Sequence, residues 1–227
     1  MSNVLITGAG RGIGFAIAQK FASHDWNVFS LDKEFKNDVI GTRIDYDLTD
    51  LEGISNLVQS LGQINVLINN AAVLYCDPID RIPEHHVQEI IKVNLLAPAK
   101  LIDAVSPQMV ARQSGRIVSV GSVSAFTGHP DLWYGATKAA LLNLTKSYAA
   151  HLGQFGVLVN AVAPGPTLTE MYEQLPESRK TAVMNSVHCR RPCLPDEVAD
   201  AVFWLGSTSP VYVSGTTLDV NAGSYPR

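Results

Sequence analysis

A tyrosine and a lysine lie four positions apart in this chain, as Tyr134 and Lys138. On a helix, such a pair shares one face. A tyrosine exchanges protons near neutrality only when its pKa, about 10 in water, falls by about three units, or roughly 4 kcal/mol. A positive charge about 4 Å away, at an effective dielectric constant of 20, supplies roughly that free energy. The spacing predicts a tyrosine that acts as general acid or base with a lysine lowering its pKa.

Four glycines at alternate positions follow the apolar run 4–6 and precede a segment of helical periodicity. Glycine permits a tight turn and lets backbone N–H groups approach a pyrophosphate, toward which the next helix directs its positive end. A flexible loop is the alternative interpretation. The strand before and the helix after favour a dinucleotide site formed by Gly8, Gly10, Arg11, Gly12, Ile13 and Gly14.

Asp32 closes the second predicted strand, 18 residues after Gly14. This spacing is typical of an acid that binds the adenosine ribose hydroxyls. A carboxylate there would repel a 2′-phosphate, so the sequence favours NAD over NADP. Arg11 and Lys33 could both meet a phosphate, so NADP stays open, and Asp32 as a plain turn residue is the alternative.

Short β-branched runs alternate with segments of helical periodicity, which predicts βαβ units around a parallel sheet. We expect strands over 4–7, 27–32, 42–45, 66–69, 115–120, 157–162 and 217–221, and helices over 12–23, 51–61, 84–112, 134–155 and 195–206. The predicted fold class is α/β: a doubly wound parallel sheet of about seven strands, a Rossmann fold, as a single domain over 1–227.

Three stretches depart from this pattern. Only residues 33–41 separate strands two and three, and this short interval barely accommodates a crossover helix. Pro98 predicts a kink in the helix over 84–112. Residues 166–194 lack strong periodicity and contain three prolines, so we expect a substrate flap there.

Composition indicates what kind of protein this is and which partners it is expected to lack. Of 227 residues, 46% are apolar and 17% charged, which is typical of a packed globular protein. The net charge is −4 with no basic stripe, so we expect neither nucleic acid nor a membrane as partner. No apolar stretch approaches the roughly 18 to 20 residues of a membrane span. Three cysteines and a first strand that leaves no room for a signal peptide predict a reducing cytoplasm.

These motifs together resemble the short-chain dehydrogenase/reductase family over nearly the whole chain. The family's glycine motif matches residues 7–14, and its Tyr-x-x-x-Lys motif matches Tyr134 and Lys138. Its catalytic serine falls on Ser122 and its helix-borne asparagine on Asn94. The remaining matches are Asn69-Asn70-Ala71-Ala72 after strand four, Asp47-Leu48-Thr49 near the adenine, and Pro164-Gly165 with Thr169 near the nicotinamide.

The resemblance implies an oxidoreductase that transfers a hydride between a nicotinamide cofactor and a carbonyl or secondary alcohol. Tyr134 would exchange the proton, Ser122 would hydrogen-bond the substrate oxygen, Lys138 would also hold the nicotinamide ribose, and Asn94 would order a water. The implied cofactor site comprises Gly8, Gly10, Arg11, Gly12, Ile13, Gly14, Asp32, Asp47, Leu48, Asn70, Ala71, Ala72, Tyr134, Lys138, Pro164, Gly165, Thr167 and Thr169. The expected substrate pocket is formed by Ser124, Tyr75, Trp133, Tyr172 and His129. A homo-oligomer, a dimer or tetramer, is also implied.

Other interpretations stay open. Ala72 replaces the family's usual glycine, and the adenosine side is trimmed. A catalytically weak NAD(H)-binding sensor or scaffold is therefore the alternative function. Arg190 and Arg191 could grip an anionic substrate or could be structural arginines before the last helix. His188, Cys189 and Cys193 suggest zinc, but no fourth ligand lies nearby and no metal is expected.

Overall fold

Seven strands form one fully parallel sheet in the computed structural model, which describes residues 1–226. The strands are β1 (Asn3–Thr7), β2 (Asn27–Asp32), β3 (Thr42–Asp45), β4 (Val66–Asn69), β5 (Gly115–Val120), β6 (Val157–Pro164) and β7 (Thr217–Val220). Their order is β3-β2-β1-β4-β5-β6-β7. The direction of winding reverses between β1 and β4, and such a reversal opens a crevice at the carboxyl ends of the strands.

Helices cover both faces of the sheet. They are α1 (Gly12–Ala22), α2 (Ile54–Ser60), α3 (Glu84–Ile91), α4 (Ala97–Arg112), α5 (Leu132–Leu152), α6 (Glu170–Glu173), α7 (Glu177–Ser186) and α8 (Pro195–Gly206). One apolar layer joins the sheet to α1 and α8, and a second joins it to α2, α4 and α5. The predicted doubly wound α/β fold with seven strands is confirmed.

Burial on both faces explains the unbroken apolar character of the central strands. Leu67 of β4 packs into the layer of α2, α4 and α5, whereas its neighbours Val66 and Ile68 pack into the layer of α1 and α8. All eight residues of β6 are buried. Side chains that alternate between two buried layers leave no polar positions to mark a strand's outer face.

The long helical segment contains a wide turn rather than a simple kink. A π-helical turn, Lys92–Leu96, joins α3 to α4. Pro98 lies in the first turn of α4 and has no N–H to give to the carbonyl of Asn94, four residues earlier. The irregularity predicted for Pro98 is thus present, one turn earlier than expected.

The two irregular stretches differ from each other. Residues 33–41 connect β2 to β3 without a helix, as the short interval predicted. Residues 166–194 contain the short helices α6 and α7, which the weak periodicity did not indicate. No residue of α7 is fully buried, so this helix lies on the surface rather than in the core.

Candidate active site

A cleft of about 610 Å³ lies at the carboxyl ends of the strands. Its walls come from the glycine-rich turn after β1, from the loops after β2 to β6, and from α6 and α7. The volume falls within the range of about 300–1,000 Å³ typical of ligand pockets. One end adjoins Asp32, and the other adjoins Tyr134.

The turn after β1 lacks side chains at the points where other backbone segments approach it closely. Gly8 has a φ of +67°, and a Cβ there would lie 2.9 Å from the Cα of Ala71. A side chain at Gly14 would overlap the carbonyl of Gly8. Glycine is therefore required at Gly8 in the turn and at Gly14 in the first turn of α1, which begins at Gly12.

Thr7 fastens this turn to the loop after β4. Its hydroxyl accepts hydrogen bonds from the backbone N–H groups of Asn70 (3.0 Å) and Ala71 (3.1 Å) and donates to the carbonyl of Ile68 (3.3 Å). The Asn70 amide donates to the carbonyl of Thr7 at 2.9 Å. Only the match to the glycine motif pointed to Thr7, and this bridging role was not predicted.

Asp32 stands at the predicted place in the cleft wall. One carboxylate oxygen accepts from the N–H of Gly10 at 2.9 Å, and the other accepts from the N–H of Lys33 at 2.8 Å. These bonds fix the carboxylate at the end of β2. The N–H of Glu34 also donates to the second oxygen at 3.3 Å, so the oxygen that faces Gly10 keeps a lone pair for a further donor.

Acids accompany the cations at this end of the cleft. Arg11 lies 3.4 Å from Glu170 and 3.9 Å from Glu34, while Lys36 lies 2.9 Å from the same oxygen of Glu170. Lys33 pairs with a glutamate on α3 at 3.4 Å. The two cations that could have met a 2′-phosphate therefore already have carboxylate partners.

Tyr134 and Ser122 meet at the other end. Both residues line the cleft, and the Ser122 side chain lies close enough to the Tyr134 hydroxyl to affect its pKa. Burial raises the pKa of the Tyr134 hydroxyl above its usual value, the bond from Ser122 lowers it, and the nearby Asp131 carboxylate raises it further. The predicted lowering of the tyrosine's pKa is not found, because burial outweighs the hydrogen bond.

Lys138 is buried beside this pair, one helical turn after Tyr134. Its Nζ donates to the carbonyl of Val120 at 2.7 Å and lies 5.7 Å from the centre of the Tyr134 ring. Burial lowers the pKa of Lys138 to about 8. Lys138 lies beside Tyr134 as predicted, but its ammonium group donates to the Val120 carbonyl rather than to the phenol.

Asn94 lies on the π-helical turn and is fully buried. Its side-chain oxygen accepts from the N–H of Val73 at 2.8 Å, and its amide donates to the carbonyl of Val73 at 2.9 Å. The amide also lies 3.4 Å from the Thr137 hydroxyl on α5. The side chain thus secures the loop after β4 from behind and does not line the cleft.

The loop after β6 forms the wall opposite the glycine turn. Pro164, Gly165, Thr167 and Thr169 all line the cleft, as predicted. The Thr169 hydroxyl accepts from the N–H of Tyr172 and so caps α6. A short parallel bridge between Thr167 and Cys193 ties this loop to the segment before α8.

Most predicted site residues line one cleft. These are Gly8, Arg11, Gly12, Ile13, Asp32, Asp47, Leu48, Asn70, Ala71, Ala72, Ser122, Ser124, His129, Tyr134, Lys138, Pro164, Gly165, Thr167, Thr169 and Tyr172. Gly10, Gly14 and Asn94 lie behind its wall.

Tyr75 and Trp133 are corrections, because neither lines the cleft. The Tyr75 hydroxyl donates to Glu89 at 2.6 Å, and its ring stacks on His86 with centroids 3.7 Å apart, so the side chain faces α3. Trp133 directly precedes Tyr134 on α5. Successive helical residues point about 100° apart, so when Tyr134 faces the cleft its neighbour does not.

Arg190 and Arg191 fit the structural alternative better than the binding of an anionic substrate. Arg191 forms two hydrogen bonds with Glu197, at 2.6 and 2.7 Å, and Arg190 donates to the carbonyl of Asn185 at 3.3 Å. Neither arginine lines the large cleft. Within residues 1–226, no group of three or more His, Cys, Asp or Glu side chains is placed to hold a metal ion.

Arg179 was not anticipated. It lies on α7, lines the cleft, and donates from Nη2 to the Asp131 carboxylate at 2.5 Å and toward Nε2 of His129 at 3.1 Å. Asp131 directly precedes α5 and is buried. The partners are 48 and 50 positions apart in the sequence, so no local pattern could have joined them.

Comparison with known proteins gives a consistent result. The family model described as short chain dehydrogenase matches residues 2–180. The chain is 32% identical over 240 residues to 3-oxoacyl-[acyl-carrier-protein] reductase FabG of Staphylococcus aureus, covering 98% of each protein. It is 31% identical to the solved 3-oxoacyl-[acyl-carrier protein] reductase from Brucella melitensis, with a TM-score of 0.89, covering 100% of this chain and 92% of that one.

A further similar structure contains a bound cofactor. The structure of ElxO with NADP bound superposes with a TM-score of 0.89 at 25% identity and covers 98% of both chains. Among the described residues, no helix is both long and apolar enough to cross a bilayer.

Proposed function

Because the chain belongs to the short-chain dehydrogenase family, and is a nicotinamide-dependent oxidoreductase of carbonyl or alcohol groups, we propose that Tyr134 is its general acid and base. The observation that carries this proposal is the contact between the Tyr134 and Ser122 side chains in the cleft, with Lys138 buried beside them. A cofactor-binding sensor without catalysis is not favoured.

The proposed roles follow from donor and acceptor chemistry. In reduction the Tyr134 hydroxyl gives its proton to the substrate oxygen, and in oxidation it takes that proton back. The Ser122 hydroxyl hydrogen-bonds the same substrate oxygen. It also stabilises the phenolate form that Tyr134 takes after giving up its proton. Hydride transfer is the chemistry that a bound nicotinamide supplies.

The buried Lys138 can make further hydrogen bonds. Its ammonium group carries three donors, and within residues 1–226 it donates to the carbonyl of Val120 alone. We propose that the other donors serve the nicotinamide ribose and Tyr134. A pKa near 8 places the proton of Lys138 within reach of physiological pH. Asn94 is proposed as a positioning residue, since its side chain holds the loop after β4.

The cleft fits a dinucleotide. Gly8 and Gly14 keep the turn after β1 free of side chains where a Cβ would collide with backbone, which is the form of a pyrophosphate cradle. The start of α1 would stabilise the phosphates. Asp47, Leu48, Asn70, Ala71 and Ala72 would line the adenosine side, and Pro164 to Thr169 the nicotinamide side.

We propose NAD(H) as the preferred cofactor, with NADP(H) as the alternative that the NADP-bound relative favours. The fixed carboxylate of Asp32 and the pairing of Arg11 with Glu34 and Glu170 support NAD(H). A 2′-phosphate would have to approach a carboxylate and compete with two others for the arginine.

Initial rates with NADH and NADPH on one carbonyl substrate test this choice. We expect a higher kcat/KM with NADH, and we expect Asp32→Ser to reduce that preference at least tenfold. A preference for NADPH in the unmodified protein would refute the proposal. Glu34→Gln is the matched control for loss of an acid beside Arg11 rather than at the ribose.

Tyr134→Phe tests the catalytic proposal. We expect turnover to fall by at least a thousandfold, while NADH binding followed by fluorescence changes less than about threefold. Undiminished turnover would refute the role of Tyr134. Tyr148→Phe on the same helix is the control, since the Tyr148 hydroxyl bonds to Asp103 outside the cleft.

Three further features remain proposals. The segment 166–194 is proposed as the substrate flap, because α6 and α7 line the cleft while α7 is not part of the core. We propose a homo-oligomer with α4 and α5 as interface elements, testable by light scattering. The three free cysteines support a reducing cytoplasmic location.

A further inference from the structure

Arg179 reaches the catalytic end of the cleft from the flap side. Its guanidinium group lies 3.1 Å from the His129 ring, and the centre of that ring lies 5.6 Å from the centre of the Tyr134 ring. All three residues line the cleft. The arginine is therefore one side chain removed from the proposed proton donor.

The arginine is held in one orientation from behind. Its Nη2 donates to Asp131, whose side chain is only 4% exposed. An arginine can only donate, so Nε2 of His129 accepts from it. Burial also lowers the pKa of His129, in agreement with a neutral ring.

This arrangement leaves part of the guanidinium uncommitted. The N–H groups on Nε and Nη1 have no hydrogen-bond partner within residues 1–226. The flap side of the cleft is rich in apolar side chains, among them Met171, Leu175, Ala182 and Val183. A guanidinium edge in such surroundings requires an acceptor, since unpaired polar groups in an apolar pocket are costly.

The charges of the cleft wall indicate which acceptor. Among the described residues that line the cleft, the acids are Asp32 and Asp47, both at the adenosine end. The lining at the catalytic end includes the cations Lys138 and Arg179 and no acid. Asp131 lies nearby but is buried and does not line the cleft. An anion there would meet Lys138 and the uncommitted edge of Arg179, whose carboxylate partner is Asp131.

We propose that the substrate carries a carboxylate a few bonds from the reacting carbon, and that Arg179 binds it through Nε and Nη1. The inference rests on the proposed function of Tyr134 and names the substrate class of the same site. A planar guanidinium edge matches the two oxygens of a carboxylate. Asp131 and His129 act as positioning residues that present this edge to the cleft.

The experiment compares each acid with its neutral twin. The probes are acetoacetate, 4-oxopentanoate and 3-oxocyclohexanecarboxylate, each against its methyl ester, with NADH oxidation as the readout. We expect kcat/KM to favour at least one acid over its ester by at least tenfold. In Arg179→Met, we expect that ratio to fall about 10- to 100-fold, the range for loss of charge-assisted hydrogen bonds.

Two further variants keep the test interpretable. Arg179→Met leaves Asp131 buried without its cation, so the double variant Asp131→Asn/Arg179→Met provides a neutral pair that should fold and show the same loss of preference. Arg190→Met removes a cation from the same segment outside the cleft, and we expect the acid-to-ester ratio to stay unchanged.

The outcomes separate the two proposals. Turnover of esters without preference for any acid, or an equal loss for acids and esters in Arg179→Met, would overturn the carboxylate inference and leave the role of Tyr134 standing. A higher kcat/KM for a phosphate monoester of a hydroxyketone than for every carboxylic acid would also overturn the carboxylate inference. Turnover that survives in Tyr134→Phe would instead contradict the proposed function.

Discussion

Replacing Lys138 by methionine should stabilise the cofactor-free protein while removing its activity. Burial lowers the pKa of this lysine from 10.5 to about 8, so the folded state binds its proton less tightly than the unfolded chain. The lysine therefore opposes folding at neutral pH, and the penalty disappears as pH rises toward 10.5. Methionine keeps an apolar stem of similar length without the charge.

The magnitude follows from the two pKa values. The penalty is about 3 kcal/mol near pH 7 and about 1.4 kcal/mol near pH 9.5. Loss of the bond to the Val120 carbonyl offsets about 1 kcal/mol. We expect Lys138→Met to raise the free energy of unfolding by about 2 kcal/mol near pH 7 and by close to zero near pH 9.5.

Urea unfolding followed by tryptophan fluorescence, without cofactor and at one protein concentration, measures this difference. Lys146→Met is the matched control, an exposed lysine two turns further along α5, and should change stability by less than about 0.5 kcal/mol. A variant that is less stable than the parent near pH 7, or an advantage that does not depend on pH, would refute the reasoning.

Three other predictions concern the cleft and its supports. Gly8→Ala should weaken NADH binding by at least tenfold in fluorescence titrations, because its φ of +67° and the short approach to the β4 loop exclude a methyl group; unchanged affinity would contradict the cradle. Asn94→Ala should lower the free energy of unfolding by about 2–4 kcal/mol, since both backbone groups of Val73 lose their partner; a loss below about 1 kcal/mol would argue against this buried contact. Burial lowers the pKa of His129, so the unfolded state binds more protons below about pH 6.5 and stability falls as pH drops through that range. His129→Gln should flatten this part of the stability–pH curve in urea titrations, and an unchanged slope would contradict the assignment.

The main elements could be predicted from sequence because their signals are local. Strands β2, β3, β4 and β5 have the predicted boundaries, and α8 begins and ends where its proline, acids and glycine indicated. Most of the glycine turn and the residues matched to the family motifs line one cleft. Short apolar runs bounded by turn residues leave little freedom for the backbone.

The remaining errors come from side-chain direction and long-range contacts. Trp133 was placed in the pocket because it adjoins Tyr134, although adjacent helical residues face different ways. The pKa of Tyr134 was expected to fall because the lysine's charge was counted without the burial of the phenol. Arg179 was missed because its partner Asp131 is 48 positions away and only the tertiary fold brings them together.

The missing helix between β2 and β3 has a consequence for the dynamics of the sheet. In β3 only Ile44 is buried, whereas every residue of β6 is. Regions with few buried contacts open first, so backbone amides of β3 should exchange with deuterium faster than those of β6. A dinucleotide bound against Asp32 and Asp47 would contact this edge of the sheet and reduce its local opening. The coenzyme would then supply the rigidity that crossover helices give to the other strands.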